Sequence, residues 1–332
     1  MRGLLSRSPV DGFVLAILAA VVVAAVFPAR GQLADVLDWA VVVAVGVLFF
    51  LYGARLQPRE ALAGLTHWRL HLTILAFTFV LFPLIGLALR PLTVPFLGDD
   101  LAAGLLYLCL VPSTVQSSIA FTSIARGNVA GAIVSASASN LLGVVLTPLL
   151  VVLLMSNTGG VHITGSSILQ ILLQILVPFL LGQLCRPLIA PILRRYAEPT
   201  KYVDRGSIVL VVYVAFSEGV RNGIWSLVGP WQVVWVALIA TALVLVMLTV
   251  TGWLPPRLGF DRADTVAIQF CGTKKSLATG LPMATVLFGG PVVGLIVLPL
   301  MIFHQIQLII CSWLATRYGR HASAADNRPD GI

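Results

Sequence analysis

Two of the chain's three lysines, Lys274 and Lys275, stand side by side in FCGTKKSLATG, the stretch from Phe270 to Gly280 of an otherwise apolar segment. An ammonium at bilayer depth costs about 2.5–3.5 kcal/mol on insertion scales, so a pair of them is kept only where it meets a cavity, a partner or a ligand. The chemistry such a pair offers is positive charge for an anionic group. A second polar stretch, LVPSTVQSS from Leu110 to Ser118, sets hydroxyls and an amide in an equally apolar run, and SASASN follows from Ser135 to Asn140. Small residues of this kind also suit close helix packing in membranes. Asn140 is the least easily explained that way, because a buried amide needs several hydrogen-bond partners. No phosphate-binding loop, zinc-protease helix motif or nucleophile elbow occurs, so no catalytic residue, no bound metal and no enzyme activity are expected.

The elements that must position these residues follow from composition. Only 10% of residues are charged and 58% are apolar, where a soluble domain would carry about a quarter charged residues. With a mean hydropathy of +0.99, the chain reads as an all-α polytopic membrane protein embedded in a lipid bilayer. The net charge of +8 is spread between apolar runs rather than gathered in a patch, which excludes a nucleic-acid partner. A spanning helix needs about 20 mostly apolar residues, and ten segments meet that rule: 10–28, 36–54, 69–89, 101–125, 129–155, 164–186, 203–220, 231–254, 263–288 and 291–317. The first is read as an uncleaved helix. With the N-terminus in the cytoplasm, sixteen basic residues fall on the inner side and only Arg30, Arg90 and Arg221 on the outer side. Under the positive-inside rule both termini of this multi-pass protein are cytoplasmic and it belongs in the cell (inner or plasma) membrane.

Ten helices divide into two sets of five, 1–158 and 159–318, with a disordered polar tail over 319–332. Repeats with an odd number of helices enter the membrane from opposite sides, so the second set is expected to be inverted. Segments four and nine, the fourth of each half, are the two that carry polar, helix-breaking interruptions, Leu110–Ser118 and Cys271–Ser276. Paired interruptions in corresponding positions point to a transporter's binding site, with discontinuous helices four and nine crossing at mid-membrane. Half-helix N-termini suit anions and carbonyl ends suit cations. Other polar residues read as structural. The cysteines are small buried hydrophobes, Gln170 and Gln174 bond between helices, His304 and Gln307 support segment ten, and His67 and His71 belong to an interfacial belt.

At these residues the chain resembles the bile acid:sodium symporter family, in its SBF-like branch. The resemblance is carried by VPSTVQSSIAFTSIARGNVAGAIVSASASNLLGVVLTPLL from Val111 to Leu150 and by QFCGTKKSLATGLPMA from Gln269 to Ala284. It implies a panel domain, a core domain and sodium-coupled uptake of an organic anion. Carried over by position, Ser117 and Ser118 fall where sodium-coupled members place ion ligands, and Ser135, Ser139 and Asn140 lie on or beside further polar positions. Gln269 and Phe270 fall where those members carry a shared glutamate, and Lys274 near a side-chain amide ligand. Gln116, Thr273, Lys275 and Ser276 complete the candidate substrate- or ion-binding set. No carboxylate lies at mid-membrane in this sequence.

That departure suggests an ammonium in the place of sodium, caged by Ser117, Ser118, Asn140 and carbonyls, with the neighbouring lysine facing the substrate cavity. The expected function is secondary active transport of a small organic anion or amphipathic solute by alternating access. Na⁺ is the coupling ion that the resemblance implies, and no other cofactor is expected. An ion-independent uniporter and a non-transporting regulator of ion or lipid homeostasis are the alternatives. Substrate, stoichiometry, direction and oligomeric state stay open at this stage.

Overall fold

The structure is a computed structural model that describes residues 12–55, 67–155, 165–223, 226, 228–288 and 290–326. These form twelve α-helices and one π-helical turn, with no strand among the described residues. In chain order they are α1 (Gly12–Val26), α2 (Gln32–Arg55), α3 (Trp68–Ala76), the π turn (Phe77–Leu81), α4 (Phe82–Leu110) and α5 (Val115–Ile124). Then come α6 (Val129–Met155), α7 (Gly165–Arg195), α8 (Ala197–Arg221) and α9 (Pro230–Arg257), followed by α10 (Arg262–Thr273), α11 (Leu277–Leu287) and α12 (Val293–Asp326). Among the described residues, six stretches are long and apolar enough to cross a membrane: Gln32–Arg55, Trp68–Leu110, Val129–Met155, Leu173–Leu193, Pro230–Arg257 and Val293–His321. The run from Trp68 to Leu110 folds back on itself at Gly98, whose φ of 77° is open to a residue without a Cβ.

The outward faces are as apolar as the core. Trp39, Leu184, Leu188 and Trp231 are each at least 74% exposed, a surface that water would not tolerate and lipid tails would. The protein is therefore multi-pass in a membrane. The polar tail expected from residue 319 is helical as far as Asp326; the remainder of that tail, 327–332, lies outside the described residues.

Two groups of helices meet along one seam. α2 packs against α7 and α8, and α1 against α8, while α3–α6 and α9–α12 pack among themselves. The α2–α7 contact is set by small residues. A Cβ on Gly53 would stand 2.0 Å from the Phe179 carbonyl oxygen, and one on Gly182 would stand 2.0 Å from that of Phe50. The two backbones touch where glycine allows it, as membrane helices do in the absence of a strong hydrophobic drive. Across the seam, α6, α11 and α12 face α7 and α8, and the Tyr52 hydroxyl of α2 donates to the Ala278 carbonyl of α11 at 3.4 Å.

Candidate functional site at the two helix breaks

α4 ends at Leu110 and α5 begins at Val115; α10 ends at Thr273 and α11 begins at Leu277. The first break has a local cause, because Pro112 pushes the preceding residue out of helical geometry, and Val111 is extended with φ −76° and ψ 155°. At the second, Lys274 and Ser276 are extended, and the Ser276 hydroxyl caps α11 by accepting from the Thr279 amide at 3.2 Å.

Each break exposes the orphan carbonyls of a helix C-terminus, and each is satisfied by the other. Ser113 Oγ donates to the Cys271 carbonyl at 2.6 Å and Ser118 Oγ to that of Phe270 at 3.2 Å, both at the end of α10. In return the Ser276 amide donates to the Pro112 carbonyl at 2.8 Å. Thr114 Oγ1 donates to the Lys275 carbonyl at 2.9 Å. Gln307 of α12 clamps the Lys275 backbone, accepting from its N–H at 2.9 Å and donating to its C=O at 2.8 Å.

The ammonium of Lys275 completes the arrangement. Its Nζ donates to the carbonyls of Cys109 at 2.9 Å, Val111 at 2.8 Å and Thr78 at 3.0 Å. Cys109 and Val111 sit at the end of α4, where the helix dipole favours a cation. Thr78 lies in the π turn, a form that recurs at functional positions. The Phe82 ring covers the ammonium at 4.1 Å from its centroid.

Lys274 is lodged differently. Its Nζ lies 3.6 Å from the Phe121 ring centroid and 5.7 Å from that of Phe270, and it has no hydrogen-bond partner. Both lysines are 0% exposed. The expected arrangement therefore differs in two respects. The carbonyl-held ammonium belongs to Lys275, and Ser117, Ser118 and Asn140 do not cage it. Neither lysine lines the cavity beside the breaks.

The expected polar residues go to separate tasks. Asn140 Oδ1 accepts from Thr279 Oγ1 at 2.8 Å, Ser139 Oγ accepts from the Ser113 amide at 3.1 Å, and Ser135 Oγ meets His71 Nδ1 at 2.6 Å. Gln269 donates to the Leu248 carbonyl at 2.8 Å and Thr273 pairs with Thr251 at 2.9 Å, so both are directed at α9. Ser117 Oγ is buried and unpartnered. Gln116, Asn140 and Ser276, with Thr114 and Thr279, line a cavity of about 350 Å³ along the seam. Its far wall, from α1, α2, α7 and α8, brings Phe13, Tyr52, Phe179 and Ile208. Arg55, Gln116, Lys201 and Asp204 also line an adjoining cavity of about 380 Å³.

Carbonyls around an ammonium were expected, but neither which carbonyls hold it nor the π turn was legible in the sequence. A carbonyl is common to every residue and carries no type signal. Pro112, which turns Val111 out of helical geometry, was the one legible hint.

Two helix pairs broken at touching points, beside a polar cavity in an apolar bundle, define a membrane transporter of the discontinuous-helix kind. The model of the SBF-like CPA transporter family matches residues 11–320, and the chain belongs to that family. It is 47% identical to the Escherichia coli protein named "Putative symporter YfeH", over 93% of each chain. It is 31% identical to sodium/bile acid cotransporter 7 of Danio rerio over 94% of each chain. With the Mus musculus protein of that name it shares 32% identity over 95% of this chain and 96% of the relative.

Proposed function

We propose that this protein carries a small organic anion or amphipathic solute across the cell membrane by alternating access, with its own Lys275 ammonium in the place of a coupling cation at the crossing. The supporting observation is the coordination of that ammonium by three backbone carbonyls, two of them at the end of a broken helix. Carbonyl oxygens around a monovalent cation are what a sodium site requires, and here the cation is tethered to the chain. The names of the relatives support transport of a solute, and the cavity along the seam gives it a place beside the breaks.

In this reading the chain crosses the membrane ten times, as two inverted sets of five, 1–158 and 159–318, with both termini in the cytoplasm. The segment Trp68–Leu110 supplies the third crossing and, beyond Gly98, the first half of the fourth. α1, α2, α7 and α8 form one body, and the broken helices move against it with the other helices.

Counterflow of labelled organic anions into proteoliposomes tests the reading. The expected result is uptake that is unchanged when choline replaces Na⁺, and that is lost when Ala278→Trp fills the cavity of a folded protein. Uptake driven by a sodium gradient would sink the resident-cation proposal. A cavity-filling variant that transports normally would sink the assigned pathway.

A further inference from the structure

Both lysines at the breaks are sealed from the cavity, so an anionic solute must find its countercharge elsewhere. The two adjoining cavities offer it at their shared mouth. Arg55, Arg186, Lys201 and Arg205 line one or both, against the two carboxylates of Glu198 and Asp204. Within this group the pairing is incomplete. Arg55 is held by Asp204 through one carboxylate oxygen, while Asp204 Oδ1 and Arg186 Nε are buried without hydrogen-bond partners. Lys201 and Glu198 approach only to 3.8 Å, one helical turn apart on α8. A buried guanidinium donor left open at Arg186, among cations lining a cavity of about 380 Å³, forms a receptor for an acceptor-rich group.

We infer that this mouth is an anion subsite for a doubly charged head group, a phosphate monoester or its equivalent, whose apolar body lies in the inner cavity against Phe13, Phe179 and Ile208. Guanidinium forks match the oxygens of such a group, and the excess of two positive charges over the carboxylates matches its charge. Asp204 occupies Arg55 in the empty site, and the head group replaces it there. Asp204 thus sets a threshold, because a singly charged or neutral solute offers Arg55 less than the carboxylate already does. The inference rests on the transport reading and names the charged end of the solute, placing it at the mouth and away from the helix breaks.

The test is equilibrium binding to purified protein in zwitterionic-lipid nanodiscs, with 1-naphthyl phosphate as the probe and 1-naphthol as its neutral counterpart. The phosphate is expected to bind and the naphthol to bind at least tenfold more weakly. Arg186→Gln should weaken the phosphate about tenfold, the size of one charge-assisted hydrogen bond. Asp204→Asn should tighten it by removing the competing carboxylate, a gain that a merely misfolded or loosened protein cannot produce. Equal binding of the two probes would overturn the subsite, as would an Asp204→Asn variant that binds the phosphate no better than the parent.

The head group of phosphatidic acid, a phosphate monoester, shares this chemistry. Competition in nanodiscs containing phosphatidic acid would identify the occupant as a lipid and its absence a soluble ester, and both keep the site. Since binding is read without transport, a protein that binds as expected and fails counterflow removes the transport reading alone.

Discussion

Replacing each lysine by methionine separates two ways of burying an ammonium. In Lys275→Met the carbonyls of Thr78, Cys109 and Val111 lose their donor inside an apolar bundle. Buried acceptors stranded in this way should cost about 3 kcal/mol or more, and the apparent melting temperature in detergent should fall clearly. Lys274→Met removes a charge with no hydrogen bond to lose, and a thioether packs well against the rings of Phe121 and Phe270. That variant should melt at the parent temperature or above it. A smaller replacement tests the cation's identity: Lys275→Ala leaves the three carbonyls around a void, and NaCl should then stabilise the variant and not the parent. A sodium titration followed by differential scanning fluorimetry reads both outcomes, and an unresponsive Lys275→Ala protein would show that the carbonyls do not make a cation site.

Among the elements, the helices with a composition signal were legible and those with a geometric cause were less so. Pro112 ended α4 in the sequence as in the structure, because a proline restricts the residue before it. The π turn from Phe77 to Leu81 left no trace, since FTFVL differs in no readable way from an α-helical run. The candidate site was legible as two polar interruptions, and their hydroxyl pairings were not. Which serine meets which carbonyl depends on how two distant segments dock, and Ser135 and Ser139 go to His71 and Ser113 by that docking alone.

Two element-scale outcomes follow. Ser276→Ala deletes the N-cap of α11 and should destabilise the protein by about 1 kcal/mol, visible as a modest fall in melting temperature with the fold intact. Gly53→Val places a branched side chain where even a Cβ would lie 2.0 Å from the Phe179 carbonyl oxygen. It should separate α2 from α7 and abolish the monodisperse peak in size-exclusion chromatography.

For the whole molecule, the distribution of arginines predicts an orientation that labelling can check. Single cysteines introduced beside Arg257 and Arg262, in a background without the native cysteines, should react with a membrane-impermeant maleimide only in inverted vesicles. Cysteines beside Arg30 and Arg221 should react in intact cells. The reverse pattern would turn the molecule over and place the mouth of Arg55, Arg186 and Lys201 outside.

The Lys275 ammonium has a consequence for energetics. An ion drives transport by binding on one side of the membrane and leaving on the other, and the free energy it contributes is the difference between those two solutions. A cation covalently joined to the backbone cannot leave on either side and draws nothing from a sodium gradient. Under the proposed function, the protein gains at this position the electrostatic benefit of an occupied site at every salt concentration, and gives up the ability to concentrate its solute by means of sodium bound there.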